Sequence, residues 1–326
     1  MRLCRWAIAI SAALSMAGCS SKELPSHDKK SADKRDDRDE PEGDSDRDRD
    51  RDQDRPTRPP SDPSDAEPRC DEAARLVYVV SREANLYAFS PTIPGLGAYH
   101  LVGHLKCASF GEPQSMAVDR RGIAWVFYDT GELFKVSVRD ASCNKTAYHH
   151  PSGNHQLGMG FTAVGAGLAG EQLYIASPDF GLATLNLDDF SVHQTRKLVM
   201  GAELTGGGDG RLFHFSAETQ ELSQVDLTRF SLVPLRRFDT LGEVSAWAIS
   251  RYAGRFYMFT SPGEGVPSKT TEFDPTKQTE RMRDSNLGFV VVGAGQSTCV
   301  PRNDGDTGIG GPAPNDPPSA PSAPPP

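Results

Sequence analysis

Three histidines within seven residues are the clearest grouping of side chains that could bind a metal. His149, His150 and His155 carry imidazoles, which are the commonest zinc and copper ligands in proteins. Their spacing matches no standard zinc motif, and Pro151 separates the adjacent pair from the third histidine. They form a candidate metal site, although the favoured interpretation is a set of polar residues at a strand end and in the loop that follows.

The motifs of common hydrolases and nucleotide-binding enzymes are absent from the sequence. It contains no G-x-S-x-G, H-E-x-x-H or P-loop pattern. Residues 165–170 (GAGLAG) match the dinucleotide-binding pattern, but a strand-like run, QLYIAS, follows them instead of the helix that the pyrophosphate needs. The sequence therefore predicts no cofactor and no catalytic residues, and an enzyme of this sequence would have to assemble its site from distant segments.

The elements that would position any site are short β-strands arranged in a repeat. A strand with an apolar and aromatic core recurs at positions 86, 133, 173, 212 and 256, as LYAFS, LFKVS, LYIAS, LFHFS and FYMFT. Spacings of about 40 to 47 residues are typical of propeller blades, each a four-stranded antiparallel sheet that cannot bury both faces alone. No segment shows sustained helical periodicity, so we predict an all-β fold.

We predict a β-propeller of about five four-stranded blades over residues 70–302. Four complete blades begin at Ser115, Gly160, Ala202 and Ser245. Three N-terminal strands (LVYVVS, NLYAFS and YHLVGHL) and one C-terminal strand (FVVVGAG) remain, and together they make a fifth, shared blade that closes the ring. Six blades are one alternative and a β-sandwich is another, although a sandwich would not explain the repeat.

Three residues on the strands predicted to be innermost could line the central channel, where propellers often bind ligands. They are Asp119, Glu203 and Trp247. Asp119 could equally cap a turn, and Trp247 could fill the space between two blades. We favour these structural roles for Asp119 and Trp247.

The cysteines bear on how the ring is closed. Cys70, Cys107, Cys143 and Cys299 lie in the folded region, and four cysteines allow three pairings. Cys70 comes just before the second strand of the shared blade and Cys299 just after its first strand, so a bridge between them would replace a missing hairpin. Cys107–Cys143 then follows by elimination, although the strand assignment puts these two at opposite ends of neighbouring blades.

The first residues have the layout of a secretory signal. Arg2 and Arg5 precede an apolar run from Ala7 to Ala17, which is shorter than the roughly 20 residues that span a bilayer. Residues 14–19 (LSMAGC) resemble the lipobox of bacterial lipoproteins, with Met16 where that family usually has Leu. The alternative is an ordinary signal peptide.

The lipobox resemblance implies a lipid anchor. In that family the signal, here residues 1–18, is removed, and the cysteine, here Cys19, carries a diacylglyceryl group and an acylated amino group. Ser20 stands where the family's inner-membrane retention signal would be Asp, which implies the outer membrane. We therefore expect a membrane-attached protein, facing the periplasm or the cell surface.

Two low-complexity segments flank the predicted propeller. Residues 19–69 include DSDRDRDRDQDR, and residues 303–326 end in PSAPSAPPP. Neither has enough apolar residues to offset the entropy of ordering, so we predict a disordered charged tether and a disordered tail. The whole chain has a formal net charge of −9, and no basic field suggests nucleic acid as a partner.

Three stretches resemble a set of exported β-propeller lipoproteins common in myxobacteria and their relatives. They are SMAVDRRGIAWVFYDTGELFKVS, AELTGGGDGRLFHF and VVVGAGQSTC. This resemblance implies a propeller and an extracytoplasmic address, but it assigns no activity and no site residue. The sequence thus predicts a binding or scaffolding module with a protein or glycan partner in the envelope. A propeller hydrolase or lyase acting on polysaccharide or lactone-like substrates is the alternative.

Overall fold

The computed structural model describes residues 70–151, 156–165, 168, 170–196 and 201–302. Within them the chain forms five antiparallel sheets of four strands, and its helical segments are two short 3-10 turns, Ala73–Arg75 and Gly95–Ala98. Neither turn is long and apolar enough to cross a membrane. The sheets surround a central axis as a five-bladed β-propeller, which confirms the predicted fold and excludes six blades and the sandwich.

Each blade extends from an innermost strand at the axis to an outermost strand at the periphery. Blade 1 consists, in that order, of β20 (Val291–Gln296), β1 (Val77–Ser81), β2 (Asn85–Phe89) and β3 (Tyr99–His104). Blade 2 consists of β4 (Pro113–Val118), β5 (Ile123–Tyr128), β6 (Glu132–Ser137) and β7 (Cys143–His149). Blade 3 consists of β8 (Gly158–Val164), β9 (Gly170–Ser177), β10 (Gly181–Leu185) and β11 (Val192–Arg196). Blade 4 consists of β12 (Glu203–Gly206), β13 (Leu212–Ser216), β14 (Glu221–Asp226) and β15 (Ser231–Arg237). Blade 5 consists of β16 (Ala246–Tyr252), β17 (Arg255–Ser261), β18 (Lys269–Asp274) and β19 (Thr279–Asp284).

Blade 1 is the predicted shared blade. Its innermost strand, β20, comes from the end of the folded chain and pairs with β1, so that Val77 faces Gln296 and Val80 faces Gly293. The innermost strands all begin on one face of the ring, which we call the upper face, and end on the opposite, lower face. The described chain enters at Cys70 and leaves after Val300 on the lower face, where a disulfide joins Cys70 to Cys299, the predicted pair.

The second strand of each blade is buried on both sides because it packs between two neighbouring blades. On β5, Ala124 and Val126 face blade 1, whereas Trp125 and Phe127 face blade 3. Five such apolar clusters fill the five spaces between blades. This position explains why the repeated motif is apolar and aromatic at nearly every residue rather than alternating.

Glycines let the innermost strands approach one another around a narrow axis. A Cβ at Gly158 would lie 1.8 Å from the carbonyl oxygen of Ala202, and one at Gly206 would lie 2.2 Å from that of Phe161. On β20, a Cβ at Gly293 would lie 3.0 Å from the backbone nitrogen of Met116. Backbone therefore packs against backbone at the centre of the ring, which only residues without a side chain allow.

The second disulfide, Cys107–Cys143, joins blades 1 and 2 at the periphery and is also the predicted pair. Cys107 follows the upper end of β3, while Cys143 begins β7 at the lower end of blade 2. Sheet twist brings these ends together, because adjacent strands rotate by about 20–25° and the outermost strand leans towards the next blade. The same meeting of ends recurs between blades 4 and 5, where Arg236 and Glu280 form an ion pair of 2.6 Å.

Candidate functional site

A cavity of about 240 Å³ opens on the upper face, at the mouth of the central channel. Residues from all five blades line it, among them Val292 of blade 1, Gln114 of blade 2, Gly158 of blade 3, Glu203 of blade 4 and Trp247 of blade 5. Among the described residues, three depressions of about 530 to 600 Å³ are larger, and none of these three draws on all five blades. The upper mouth is therefore the place where the ring as a whole can contact a ligand.

Glu203 is the most buried charged residue of the cavity lining. It begins β12 and is 6% exposed. Its Oε2 accepts a hydrogen bond of 3.0 Å from Ser115 Oγ of blade 2, and its carboxyl also accepts one from the backbone N–H of Met159 of blade 3. Burial raises the pKa of the Glu203 carboxyl well above its usual value, which favours the neutral acid.

Two further groups in the lining lack hydrogen-bond partners in the described part of the chain. They are Gln114 Oε1, an acceptor, and Trp247 Nε1–H, a donor, and both atoms are buried. Leaving such a group unpaired costs about 1–3 kcal/mol. Two side chains of the upper mouth thus each carry a polar group that the described residues leave unsatisfied.

A β-bulge accounts for the place of Gln114. The pairing of β4 with β5 shifts by one residue between Pro113, which faces Tyr128, and Ser115, which faces Phe127. Gln114 is the extra residue, and bulges re-orient the side chain of such a residue. The chain thus departs from regular pairing at the position that carries the unpaired acceptor.

The rim of the cavity is charged. Arg82 of blade 1 and Glu112 of blade 2 form an ion pair of 3.7 Å, and the Glu112 side chain is 64% exposed. Asp129 Oδ1 accepts the backbone N–H of Glu112 at 2.9 Å, which holds the rim segment of blade 2 in place. Three carboxyl groups, those of Glu112, Asp129 and Glu203, therefore contribute to this mouth.

The lower mouth of the channel is filled by the segment that follows β20, Ser297–Val300 with Pro301. Ser297 Oγ donates to the Ala74 carbonyl of blade 1, while Thr298 Oγ1 accepts from Arg120 Nε of blade 2 and donates to Glu171 of blade 3. A Cβ at Gly208 of blade 4 would lie 2.4 Å from the Thr298 carbonyl, and the Pro301 carbonyl accepts the N–H of Ala253 of blade 5. We call this segment the plug, since it contacts every blade.

Above the plug, Gln296 has all of its side-chain groups engaged. Its Nε2 donates to Thr205 Oγ1 at 2.6 Å and to the Gly206 carbonyl at 2.7 Å, and its Oε1 accepts the N–H of Arg251 at 3.2 Å. Beside it, Arg251 forms an ion pair of 2.7 Å with Asp209. The lower half of the channel is therefore closed by internal hydrogen bonds.

Of the three channel candidates, Glu203 and Trp247 line the upper mouth and Asp119 does not. Asp119 is fully buried at the turn between β4 and β5 on the lower face. Its Oδ1 accepts the backbone N–H groups of Arg121 and Ile123 at 2.9 and 3.0 Å, and its Oδ2 accepts Trp125 Nε1–H at 3.3 Å. It caps the turn, which was the favoured alternative. Trp247 also packs against the cluster between blades 4 and 5.

The structure separates the two candidate metal ligands that it describes. His149 is exposed, whereas His150 is buried between blades 2 and 3, because successive residues of an extended chain point to opposite sides. The Nδ1 of His150 lies 3.1 Å from Tyr148 Oη, and its ring packs against Phe127 and Phe180. His155 lies outside the described residues. In the described part of the chain no group of three or more His, Cys, Asp or Glu residues is arranged to bind a metal.

The remaining sequence predictions concern segments outside the described residues. They are the lipidation at Cys19, the signal at residues 1–18, the tether at residues 19–69 and the tail at residues 303–326. The sequence analysis missed the rim residues Arg82, Glu112 and Asp129, and it missed Gln114 because the first strand of blade 2 was predicted to begin one residue later, at Ser115. The place of Gln114 just after Pro113, a residue tolerated at the start of a strand, was the available signal.

Comparisons with known proteins show similarity in shape alone. No protein-family model matches the sequence, and no curated protein matches it. A chain of a nidogen/laminin complex is 8% identical with a TM-score of 0.46, over 68% of this chain and 97% of its own. A protein of unknown function from Bacteroides caccae is 10% identical with a TM-score of 0.40, over 67% and 97%. The WD40 repeats of RRP9 are 10% identical with a TM-score of 0.37, over 63% and 58%. The fold assignment rests on the sheet topology, and no function is carried over from these structures.

Proposed function

We propose that this protein is a membrane-tethered, extracytoplasmic binding module that holds its ligand in the upper mouth. The propeller fold suggests a binding or scaffolding module. The observation that carries the proposal is the cavity to which all five blades contribute, with a buried acceptor and a buried donor left without partners in the described residues. The lower mouth, as far as the described chain extends, has no comparable opening, because the plug fills it.

Two features support the extracytoplasmic address. Two disulfides form readily only in an oxidising compartment, such as the periplasm or the cell surface. The LSMAGC sequence supports a lipid on Cys19, and Ser20 supports the outer membrane. Cys70, the first described residue, lies on the lower face, where the disulfide joins it to Cys299. The partner expected in this compartment is a protein or a glycan of the envelope.

Binding at the upper mouth is tested by capture from envelope extract with the full-length protein. We expect the wild type to retain a component that the Gln114→Leu variant loses, because that substitution removes the unpaired acceptor. Gln194→Leu is the matched control, since Gln194 lies on the outermost strand of blade 3. Equal capture by the wild type and Gln114→Leu would contradict a ligand site in this mouth.

The anchor is tested separately by fractionation of cells that express the full-length chain. We expect Cys19→Ala to move the protein from the membrane fraction to the soluble one, or to leave it unprocessed. Normal processing with unchanged membrane retention would contradict the lipid anchor.

A hydrolase or lyase is the second candidate, and one observation favours it. Glu203 in its neutral form could act as a general acid, with Glu112 and Asp129 in the same mouth. The two functions are distinguished by incubating the protein with soluble polysaccharides and lactones. Turnover that is lost in Glu203→Gln would identify the enzyme, and binding without turnover would favour the module.

A further inference from the structure

The hydrogen-bonding groups of the upper mouth restrict the chemistry of its ligand. Trp247 Nε1–H needs an acceptor, Gln114 Oε1 needs a donor, and the Glu203 carboxyl lies in the same small space. A hydroxyl group both donates and accepts, whereas an ammonium group only donates, and a carboxylate or phosphate only accepts. A ligand with several hydroxyl groups therefore satisfies all of these side chains at once.

The charges of the mouth argue against an ionic ligand. The charged groups of the lining are the Glu112 and Asp129 carboxylates and the Arg82 guanidinium, which already pairs with Glu112, so an anion would meet no unpaired positive charge. A cation would bind best to an ionised Glu203 carboxylate. Glu203, however, is 6% exposed and has no ion-pair partner among the described residues. Burial without an ion-pair partner favours a neutral carboxyl, and a neutral carboxyl favours a neutral ligand.

The size and the apolar surface of the cavity also favour a small, uncharged ligand with hydroxyl groups. Its volume of about 240 Å³ is below the roughly 300–1,000 Å³ of sites for drug-sized ligands, so it accommodates one ring rather than a chain. Trp247, partly buried at the wall, offers an apolar aromatic surface beside its N–H. A ring with hydroxyl groups at its edge and C–H groups on its face matches such a wall.

We propose that the upper mouth binds a single uncharged sugar ring, with its hydroxyl groups bonded to Gln114, Trp247 and Glu203 and its C–H groups against the apolar part of the lining. This inference rests on the proposed function and specifies the ligand class. The ring can be a free sugar or the end of a glycan, and the two share the same chemistry.

The test is a titration of the full-length protein with candidate ligands, in which binding is measured by tryptophan fluorescence and by ligand-observed NMR. The probes are the methyl glycosides of glucose, galactose, mannose and N-acetylglucosamine. Glucosamine and glucuronate are charged counterparts, and sorbitol is the open-chain control. For any sugar that binds, we also titrate oligosaccharides that end in it. If the natural ligand is the end of a glycan, these oligosaccharides bind as tightly as the single sugar, and if it is a free sugar, they bind more weakly.

We expect at least one neutral glycoside to bind saturably and both charged counterparts to bind about tenfold more weakly or worse. Gln114→Leu should weaken binding by about tenfold, the effect of one lost hydrogen bond. Glu203→Gln should retain most of the affinity, because an amide, like a neutral acid, both donates and accepts, while Glu203→Leu should lose it. Gln194→Leu should bind like the wild type.

Three results would overturn the inference: no neutral glycoside binds, a charged counterpart binds equally well, or Gln114→Leu binds like the wild type. Gln114 is used because it is only partly buried and its substitution leaves the blade clusters intact. If Gln114→Leu abolishes capture from envelope extract while no glycoside binds, the proposed function stands and the sugar assignment falls. If capture is also unaffected by Gln114→Leu, both fall.

Discussion

The two mouths of the channel each contain a glutamine, and the two residues are in opposite states. Gln296, at the lower mouth, is buried and uses both its amide nitrogen and its oxygen in hydrogen bonds to blades 4 and 5. Gln114, at the upper mouth, has a buried oxygen without a partner in the described residues. The two glutamines therefore differ in whether the ring itself satisfies their hydrogen-bonding groups.

Cutting the bridge at the lower mouth should have the largest effect. Cys70–Cys299 spans 229 residues and Cys107–Cys143 spans 36, so the chain-entropy model assigns about 5 and about 4 kcal/mol to them. We expect Cys70→Ser to lower the free energy of unfolding more than Cys107→Ser does. The double variant Cys70→Ser with Cys299→Ser should lose no more free energy of unfolding than either single variant, because both substitutions remove the same bridge. Denaturant titration of the oxidised full-length variants measures this.

The two bridges should also act independently. Cys70→Ser combined with Cys107→Ser should show the sum of the two losses, because the bridges lie at different places in the ring. Peptide mapping without reduction is the control, and finding Cys70 joined to Cys107, or four free thiols, would contradict closure of the ring by these two bridges.

The next largest effect is expected from filling the space between innermost strands. Gly206→Ala would place a Cβ 2.2 Å from the Phe161 carbonyl oxygen, which is backbone and cannot move aside. We expect a loss of about 3 kcal/mol in the free energy of unfolding. Gly97→Ala is the control, since its nearest neighbour would be Ile93 Cγ2 at 3.7 Å, and similar losses in both variants would contradict close packing at the axis.

The two glutamines give the direct test of the contrast between the mouths. Gln296→Leu removes three hydrogen bonds and leaves buried partners unpaired, so we expect a loss of about 2–3 kcal/mol. Gln114→Leu removes a buried acceptor that has no partner in the described residues, so we expect no loss and a gain of up to about 1–3 kcal/mol. Thermal and denaturant unfolding of both variants check this, and equal losses would show that the two mouths do not differ as described.

The smallest effect is a pH dependence at the upper mouth. The Glu203 pKa is raised in the fold, so between the unfolded value of 4.5 and the raised value the folded chain binds the extra proton. The free energy of unfolding should therefore fall as pH rises through this window, with a slope of at most about 1.4 kcal/mol for each pH unit. Glu203→Gln should flatten that fall at pH values above 4.5, and an unchanged slope would contradict a neutral Glu203.

The sequence predicted the propeller because the repeated strand has a distinctive environment. Residues such as Val126 and Phe127 are buried on opposite sides of one strand, and this apolar run recurs once per blade. The closing bridge was also predictable, since Cys70 and Cys299 flank the seam of the shared blade. Both predictions depend on local patterns and on their order along the chain.

The candidate site was harder to predict because it depends on departures from regular pairing. The bulge at Gln114 has no clear signature in the sequence, and the strand was predicted to begin after it. Glu203 and Trp247 were identified as channel candidates, but Asp119 has the same strand assignment and is engaged in a turn. The strand assignment put Cys107 and Cys143 at opposite ends of neighbouring blades, because the order of strands along the chain does not show how far each sheet twists. The twist of the sheets brings the two cysteines together.

The Cys70–Cys299 bridge also determines how the ring responds to mechanical force. A pull on the chain before residue 70 would otherwise peel β1 away from β20, breaking the hydrogen bonds of the seam one after another. With the bridge present, the tension passes from Cys70 into Cys299, within the plug that contacts every blade. The load is then shared around the whole circumference, so a ring held by this end withstands drag until the disulfide is reduced.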